Sequence, residues 1–264
     1  MTQSLLEAAI EVAKLTGDVA LSYYKAHVRG ERLRIETKAD GSPVSHADRA
    51  SEQAARAFLQ RYFPEDGVLG EELGETRPDA KRKWCIDPID GTKSFLAGAP
   101  LWGSLVALVE GDTVLAGAAR FPVTAEAIAA APGAGVVVEG GRAGVSSVSS
   151  VADALVLTTD ERFLDAPECA APWRSLAGAA RLARTWGDCF GYYLVATGRA
   201  ELMTDGRLSP WDAACFIPII EEAGGVITDW DGKRTGFGRG LVATNRAVAG
   251  AAREILGVPV QRET

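Results

Sequence analysis

The N-terminal third of the chain changes period from helical to extended. Apolar residues recur at three- and four-residue steps over 3–27, which predicts an amphipathic helix. An extended segment at 32–38 and a polar loop at 39–48 follow, and 47–63 is predicted as a second helix that ends at Pro64. Short apolar runs at 67–70 and 84–86 lie between turn residues, so we expect both to be strands.

Strands dominate the middle of the predicted chain. Apolar runs on either side of Gly111 and Asp112 predict a hairpin over 102–121, and the Gly/Ala-rich stretch 131–144 predicts another. Small residues at 146–150 are typical of a linker.

Strands and helices alternate in the last third. We expect strands at 154–158 and 226–228, and helices at 189–199, 212–223 and 245–256. The pattern predicts a mixed α/β (α+β) fold in two parts, an α+β half at 1–148 and an α/β half at 149–264.

Composition narrows the class of protein. Hydrophobic residues make up 47% and charged residues 24% of the chain, as in globular proteins. The net charge of −7 disfavours a nucleic-acid surface, and no apolar run is long enough for a membrane span. Glu7 and Glu11 interrupt the first apolar pattern, which is unlike a signal peptide, so we expect a cytoplasmic protein. The 4 cysteines form no CxxC pair, and 2 histidines are too few for a His-rich zinc site.

The strongest local pattern is WCIDPIDGT at 84–92. An apolar run leads into Asp87 and Asp90, Pro88 is expected to end the strand ladder, and Gly91 permits a tight turn. Thr92 would then cap a helix whose free N–H groups suit an anion. Carboxylates without sulfur or imidazole ligands favour Mg²⁺. From these residues alone, a turn with solvated acids remains an alternative.

Other acids occupy similar positions. Glu71 follows the predicted strand 67–70, Asp48 lies in the first turn of the second helix, and Asp212 begins the helix 212–223. Each also has an ordinary structural interpretation: Asp48 would complement the helix dipole and Asp212 would be an N-cap. Lys38 is by default a surface lysine.

Four ordered segments carry a resemblance to a known family. KADGSPVSHAD, GEELGE, WCIDPIDGTKSF and WDAACFIPIIEEAGG resemble signature segments of the inositol monophosphatase superfamily, over about residues 3–257. The resemblance implies a layered α/β/α/β/α sandwich of the inositol monophosphatase/fructose bisphosphatase type. It also implies a lithium-sensitive phosphomonoesterase that uses two or three Mg²⁺ ions and is often a homodimer.

The resemblance also implies roles for individual residues. The metal ligands would be Glu71, Asp87, the carbonyl of Ile89, Asp90 and Asp212. The Gly91 and Thr92 amides would bind phosphate, and Thr92 would orient the attacking water. The catalytic group would consist of Glu71, Thr92, Asp48 and Lys38, the last two near that water and a weaker third metal.

The segment 184–192, RTWGDCFGY, departs from the inositol-specific pattern and is similar to the histidinol-phosphate phosphatase branch. Asp188 and Asp205 would attract the ammonium and imidazole of L-histidinol phosphate, and Trp186 could line the pocket. Asp188 could instead simply cap a helix. Inositol 1-phosphate, fructose 1,6-bisphosphate and 3′-phosphoadenosine 5′-phosphate stay open as other substrates, and a non-catalytic binding relative is the alternative of another class.

Overall fold

The computed structural model describes residues 2–39, 41–140 and 143–259. Residue 40 of the predicted loop, residues 141–142 of the second predicted hairpin and residues 260–264 of the predicted C-terminal half lie outside this description. The chain begins with α1 (Thr2–Val28), β1 (Ile35–Thr37), β2 (Pro43–Ser45) and α2 (His46–Tyr62). Strands β1 and β2 pair antiparallel, so part of the predicted polar loop is a strand.

A seven-stranded sheet occupies the middle of the chain, in the order β4-β3-β5-β6-β7-β8-β9. Its strands are β3 (Gly67–Gly70), β4 (Gly74–Thr76), β5 (Arg82–Asp90), β6 (Gly103–Glu110), β7 (Thr113–Phe121), β8 (Glu126–Ala130) and β9 (Val136–Glu139). Only β3 and β5 run parallel, and the other neighbours are antiparallel. Helices α1 and α2 cover one face, where Val12 and Leu59 join a core with Trp84 and Ile86.

A five-stranded sheet follows, in the order β11-β10-β12-β14-β13. Its strands are β10 (Leu155–Leu157), β11 (Leu182–Arg184), β12 (Leu202–Asp205), β13 (Val226–Thr228) and β14 (Leu241–Thr244). The helices after α2 are α3 (Thr92–Leu96), α4 (Pro167–Ala179), α5 (Asp188–Ala196), α6 (Pro210–Ala213), α7 (Phe216–Glu222) and α8 (Ala249–Leu256).

Helices lie between the two sheets and outside both. Tyr193 of α5 and Ile219 of α7 share one core with Leu105 of the first sheet and Leu157 of the second. Helices α4 and α8 cover the outer face of the second sheet, where Leu176 and Leu256 pack. This arrangement confirms the expected α/β/α/β/α layering. No helix in the described ranges combines the length and apolar character that a bilayer span requires.

Strand β5 runs further than the sequence predicts. It continues through Pro88 to Asp90, with a shift in register against β6: Asp87 lies opposite Leu105, and Asp90 lies opposite Gly103. The extra residue forms a bulge, where a proline is tolerated because its missing N–H costs no ladder bond. The expectation that Pro88 ends the ladder is therefore wrong, and the bulge carries both aspartates on one continuous strand.

The predicted helix 212–223 is two helices, α6 and α7. Pro218 has no N–H to donate to the carbonyl of Ala214, so the chain breaks between Ala213 and Phe216. The final helix also begins later than expected, at Ala249, because the side chain of Asn245 accepts the Val248 N–H at 2.9 Å and forms a turn. The second hairpin is shifted towards the N-terminus, onto 126–130 and 136–139.

Candidate metal centre

Three acidic side chains from three elements converge beside the sheet edge. Glu71 follows β3, Asp87 lies near the end of β5, and Asp212 lies in α6, with ligand oxygens all within 4.8 Å of one another. Strands β3 and β5 are parallel neighbours, with Gly70 opposite Ile86, so the residues that follow these positions meet at one place. Asp87 is only 2% exposed.

Asp48 and Asp212 are held in the same way. Each is the third residue of its helix and accepts the N–H of the serine before that helix. Ser45 N lies 2.8 Å from Asp48 Oδ2, and Ser209 N lies 2.8 Å from Asp212 Oδ2. The Ser45 hydroxyl adds a bond of 2.7 Å to Asp48. Asp212 is therefore not the N-cap that the sequence suggested, and the two serines fix where both carboxylates lie.

Asp90, the second aspartate of the WCIDPIDGT segment, is held in place by contacts around the turn after β5. Asp87 Oδ1 accepts the Ile89 N–H at 2.9 Å, and Asp90 accepts the Cys189 N–H from α5. Gly91 has a φ of 84°, and a Cβ there would meet the Leu101 carbonyl at 2.9 Å, so only glycine fits.

Thr92 does not cap α3 as expected. It is the first helical residue after the N-cap Gly91, and its hydroxyl donates to the Ile89 carbonyl at 3.0 Å. This bond ties the helix start to the turn that carries Asp90. Gly91 and Thr92 thus lie together at the beginning of α3, next to the acidic cluster.

Burial and mutual repulsion act on the aspartates of the centre. Burial first, and then Glu71, Asp90 and Asp212, raise the pKa of Asp87 well above its ordinary value. The pKa of Asp90 is raised well above normal by burial and by Asp188 and Asp212. Burial also raises the pKa of Asp212 to about 7. Such a cluster needs bound cations or protons at neutral pH.

Lys38 is not a free surface lysine. Its Nζ lies 2.6 Å from Glu71 Oε1 and 2.7 Å from Glu72 Oε1. Burial disfavours its charge, but the two carboxylates outweigh burial and raise its pKa. Burial raises the pKa of Glu72 to about 7 despite that bond. Lys38 therefore holds Glu71 at the edge of the cluster.

Glu52 stabilises the turn after β3, which contains Glu71. It is fully buried in α2 and accepts the Glu72 N–H at 2.8 Å and the Leu73 N–H at 3.3 Å. Arg56, one helical turn later, donates to it at 2.7 Å. A Cβ on Gly70 would lie 2.0 Å from Glu52 Oε1, so the glycine makes this close approach possible.

Two adjoining cavities, of about 280 and 360 Å³, open beside the cluster. Glu71, Gly91 and Thr92 line the first, and Asp90 and Asp212 line the second. Three residues line both cavities: Lys93, Thr159 and Asp188. The metal centre therefore faces a continuous cleft large enough for a small phosphate ester.

The two acids predicted to contact substrate lie in this cleft. Asp188 is the first residue of α5 after the N-cap Gly187, with its N–H 2.7 Å from Thr159 Oγ1, and burial followed by Asp205 raises its pKa to about 7. Asp205 accepts the Thr159 N–H at 3.0 Å and the Tyr192 hydroxyl at 3.1 Å. Trp186 is 42% exposed and is not among the residues that line either cavity.

The polar residues of the cleft that the sequence did not single out include Lys93, Thr159 and Arg162. Lys93 directly follows the IDGT motif, and that adjacency was the one available signal. Thr159 and Arg162 lie in a loop after β10 with no pattern of their own, so only the tertiary structure brings them to the site.

The donor set fits a hard divalent cation. The converging groups are carboxylates, Asp87 is buried, and their repulsion is unfavourable without positive charge. Oxygen ligands of this kind suit Mg²⁺ or Mn²⁺ better than zinc, which favours nitrogen and sulfur.

The fold and this site define a class of enzyme. The model of the inositol monophosphatase family matches residues 1–258, and the chain belongs to this family. Members are generally metal-dependent, and the chain is a phosphatase, a hydrolase that acts on phosphoric monoesters.

Within this family, the chain is similar to several named phosphatases. The chain is 41% identical over 246 residues to a histidinol-phosphatase of Chlorobaculum parvum, covering 92% of this chain and 93% of the relative. It is 39% identical to a histidinol-phosphatase of Mycobacterium tuberculosis, over 81% of this chain and 84% of the relative. An inositol monophosphatase structure from Zymomonas mobilis superposes with a TM-score of 0.84 at 30% identity, over 97% and 98% of the two chains.

Proposed function

We propose that the protein is a Mg²⁺-dependent histidinol-phosphatase that converts L-histidinol phosphate and water into L-histidinol and phosphate. The observation that carries this proposal is the position of Asp188, an acid that lines both cavities beside the carboxylate cluster. The names of the similar histidinol-phosphatases support it.

The metal ligands in this proposal are Glu71, Asp87, the Ile89 carbonyl, Asp90 and Asp212. Two or three bound Mg²⁺ ions would neutralise the phosphate, lower the pKa of a water and stabilise the leaving oxygen. The chain's part is to hold the carboxylates in place: serine N–H groups orient Asp48 and Asp212, and Lys38 holds Glu71. We expect Li⁺ to inhibit the enzyme, as the family resemblance implies.

Phosphate binding would fall to the start of α3. The amides of Gly91 and Thr92 lie at the beginning of a helix, where N–H groups have no carbonyl partner four residues earlier. The Thr92 hydroxyl donates to Ile89 and so keeps lone pairs for the attacking water. Asp48 and Lys38 complete the catalytic group on the side of Glu71. The Lys93 side chain adds positive charge to both cavities.

Substrate selection would come from the acidic side of the cleft. Asp188 would bind the ammonium group of L-histidinol phosphate by a charge-assisted hydrogen bond. Asp205 adds negative charge and holds Thr159, which in turn accepts the Asp188 N–H. Inositol esters offer neutral hydroxyls and gain less from this charge. We propose Trp186, which is exposed beside Gly187 of the cleft, as a peripheral substrate contact.

The proposal includes the organisation of the molecule. Residues 1–148 would form the half that carries most metal ligands, and 149–264 the half that supplies Asp212 and the specificity segments. We further propose a cytoplasmic homodimer without a nucleic-acid partner. Light scattering of the purified chain tests the dimer, and a single-chain mass would contradict it.

A phosphate-release assay tests the reaction itself. L-Histidinol phosphate is incubated with purified protein and Mg²⁺, and free phosphate is measured with and without excess EDTA. We expect multiple turnovers with Mg²⁺ and none with EDTA. Release that is unchanged by EDTA would contradict metal dependence, and no release in either case would support the non-catalytic alternative.

A further inference from the structure

A third cavity, of about 530 Å³, lies in the second half of the chain and shares no lining residue with the two cavities of the metal centre. Strand β13 and the start of α8 form two of its walls. Its lining includes three arginines, Arg234, Arg246 and Arg253, against one acid, Glu221. This composition is unexpected in a protein with a net charge of −7.

Arg253 carries a buried charge without an acidic partner. It is 2% exposed, and its guanidinium donates to the Thr228 hydroxyl at 2.5 Å and to the Val242 carbonyl at 3.0 Å. Its Nε is buried without a hydrogen-bond partner, and no carboxylate pairs with it in the part of the chain that the structure describes. Burial lowers its pKa to about 10, so it stays charged at neutral pH. A buried arginine of this kind is costly unless an anion approaches it.

The other two arginines leave the cavity with excess positive charge. Arg234 is neutralised by Glu221, whose two oxygens it contacts at 2.5 and 2.6 Å. The Arg246 side chain is exposed and forms no ion pair or hydrogen bond with any residue in the described ranges. Arg246 and Arg253 are therefore both uncompensated, and both line the same cavity.

The start of α8 adds to the positive electrostatic potential of the cavity. Ala249 and Gly250 are its first two residues, both line the cavity, and no side chain caps the helix. The positive end of the helix dipole therefore lies at the same cavity wall. The position that a Cβ on Gly250 would take is open, with no atom within 4 Å apart from the adjacent residues and the backbone of α8 itself.

We propose that this cavity is a second ligand site, which binds the phosphate group of a small metabolite away from the metal centre. Guanidinium groups and helix N-termini are the groups with which proteins hold phosphate. The volume falls within the range of small-molecule sites, roughly 300–1,000 Å³, so there is room for an organic part as well. The site does not depend on the substrate assigned to the cleft.

Isothermal titration of the full-length chain with inorganic phosphate tests this site. EDTA is present throughout, so that the acidic cluster holds no cation and repels the anion, and chloride keeps the ionic strength constant. We expect one phosphate per chain. Arg246→Gln should weaken binding about tenfold, the loss of one charge-assisted hydrogen bond. Arg174→Gln removes an equal charge from an exposed position of α4 outside the cavity and should bind like the unchanged protein.

A second pair of variants leaves the arginines in place. Gly250→Glu adds a carboxylate at the open position, in a first helical turn where an acid is tolerated, and should abolish phosphate binding. Gly250→Gln introduces a side chain of the same shape as glutamate but without the charge. This variant should retain most of the phosphate binding. Absence of binding to the unchanged protein, or equal binding by all four variants, would overturn the proposal. Succinate binding as tightly as phosphate would overturn the assignment to phosphate.

Discussion

Among single residues, Asp87 contributes most to the proposed metal centre. It is 2% exposed, lies within 4.8 Å of the Glu71 and Asp212 oxygens, and accepts one backbone N–H. Asparagine keeps its size but removes the charge that a bridging ligand needs. We expect Asp87→Asn to lower kcat on the order of 1,000-fold or more, measured as phosphate release with saturating Mg²⁺.

The control for this variant is Asp229→Asn. Asp229 is also 2% exposed and also accepts backbone N–H groups, from Asp231 and Lys233, but it is not part of the carboxylate cluster that Asp87 forms with Glu71 and Asp212. We expect the folded Asp229→Asn variant to retain phosphatase activity. Near-normal activity of Asp87→Asn would refute the metal role of this residue.

A substitution at Asp188 distinguishes substrate recognition from catalysis. Asn tolerates the φ of 49° that Asp188 adopts, so Asp188→Asn should keep the backbone. We expect KM for L-histidinol phosphate to rise about tenfold, with little change for p-nitrophenyl phosphate, which has no ammonium group. Asp160→Asn is the matched control, since Asp160 lines the same cavity but is paired with Arg162. Equal effects on both substrates would remove Asp188 from substrate recognition.

At the element scale, the turn after β3 rests on Glu52 of α2. Glu52→Gln puts an NH₂ group near backbone donors, so at least one N–H of Glu72 or Leu73 loses its acceptor. We expect a loss of about 1–3 kcal/mol in the free energy of unfolding. The Mg²⁺ concentration for half-maximal activity should also rise, because Glu71 lies in this turn.

Denaturant unfolding and Mg²⁺ titration of the activity measure the two effects. Glu75→Gln in β4 serves as the control, since that side chain is exposed and pairs with Lys83 on the surface. A destabilised Glu52→Gln protein with an unchanged Mg²⁺ requirement would limit Glu52 to a structural role.

The observed strands and helices agree only in part with those that the sequence predicts. Apolar runs bounded by turn residues located β3 with its observed ends, and the helical period located α1 to within a residue. Pro88 misled the prediction for β5, because a bulge accommodates a proline that a regular ladder excludes. Strands β11, β12 and β14, of three or four residues each, were missed. The acids of the metal centre were found by motif, whereas Thr159 and Arg162 reach the cleft only through tertiary packing.

At the scale of the whole molecule, the metal centre links stability to pH. Asp188 and Asp212 have pKa values of about 7 in the folded chain, raised first by burial, against an ordinary 3.8. The folded state thus binds more protons than the unfolded state between these values, and stability falls as pH rises through this range. Without metal, we expect a lower melting temperature at pH 8 than at pH 5.5.

Mg²⁺ should reverse this trend. Bound cations replace the missing protons, so Mg²⁺ should raise the melting temperature more at pH 8 than at pH 5.5. Thermal scans in EDTA and in Mg²⁺ at the two pH values measure this difference. Asp212→Asn should reduce it, and a Mg²⁺ effect that is the same at both pH values would contradict the link.

The proposed reaction is tested most directly by one comparison of kcat/KM with Mg²⁺ for three substrates: L-histidinol phosphate, inositol 1-phosphate and 3′-phosphoadenosine 5′-phosphate. All three can present phosphate to the metal centre, and only the first carries an aliphatic ammonium to meet Asp188. We expect L-histidinol phosphate to be preferred by about tenfold or more over both others. A preference of about tenfold or more for inositol 1-phosphate would contradict the account.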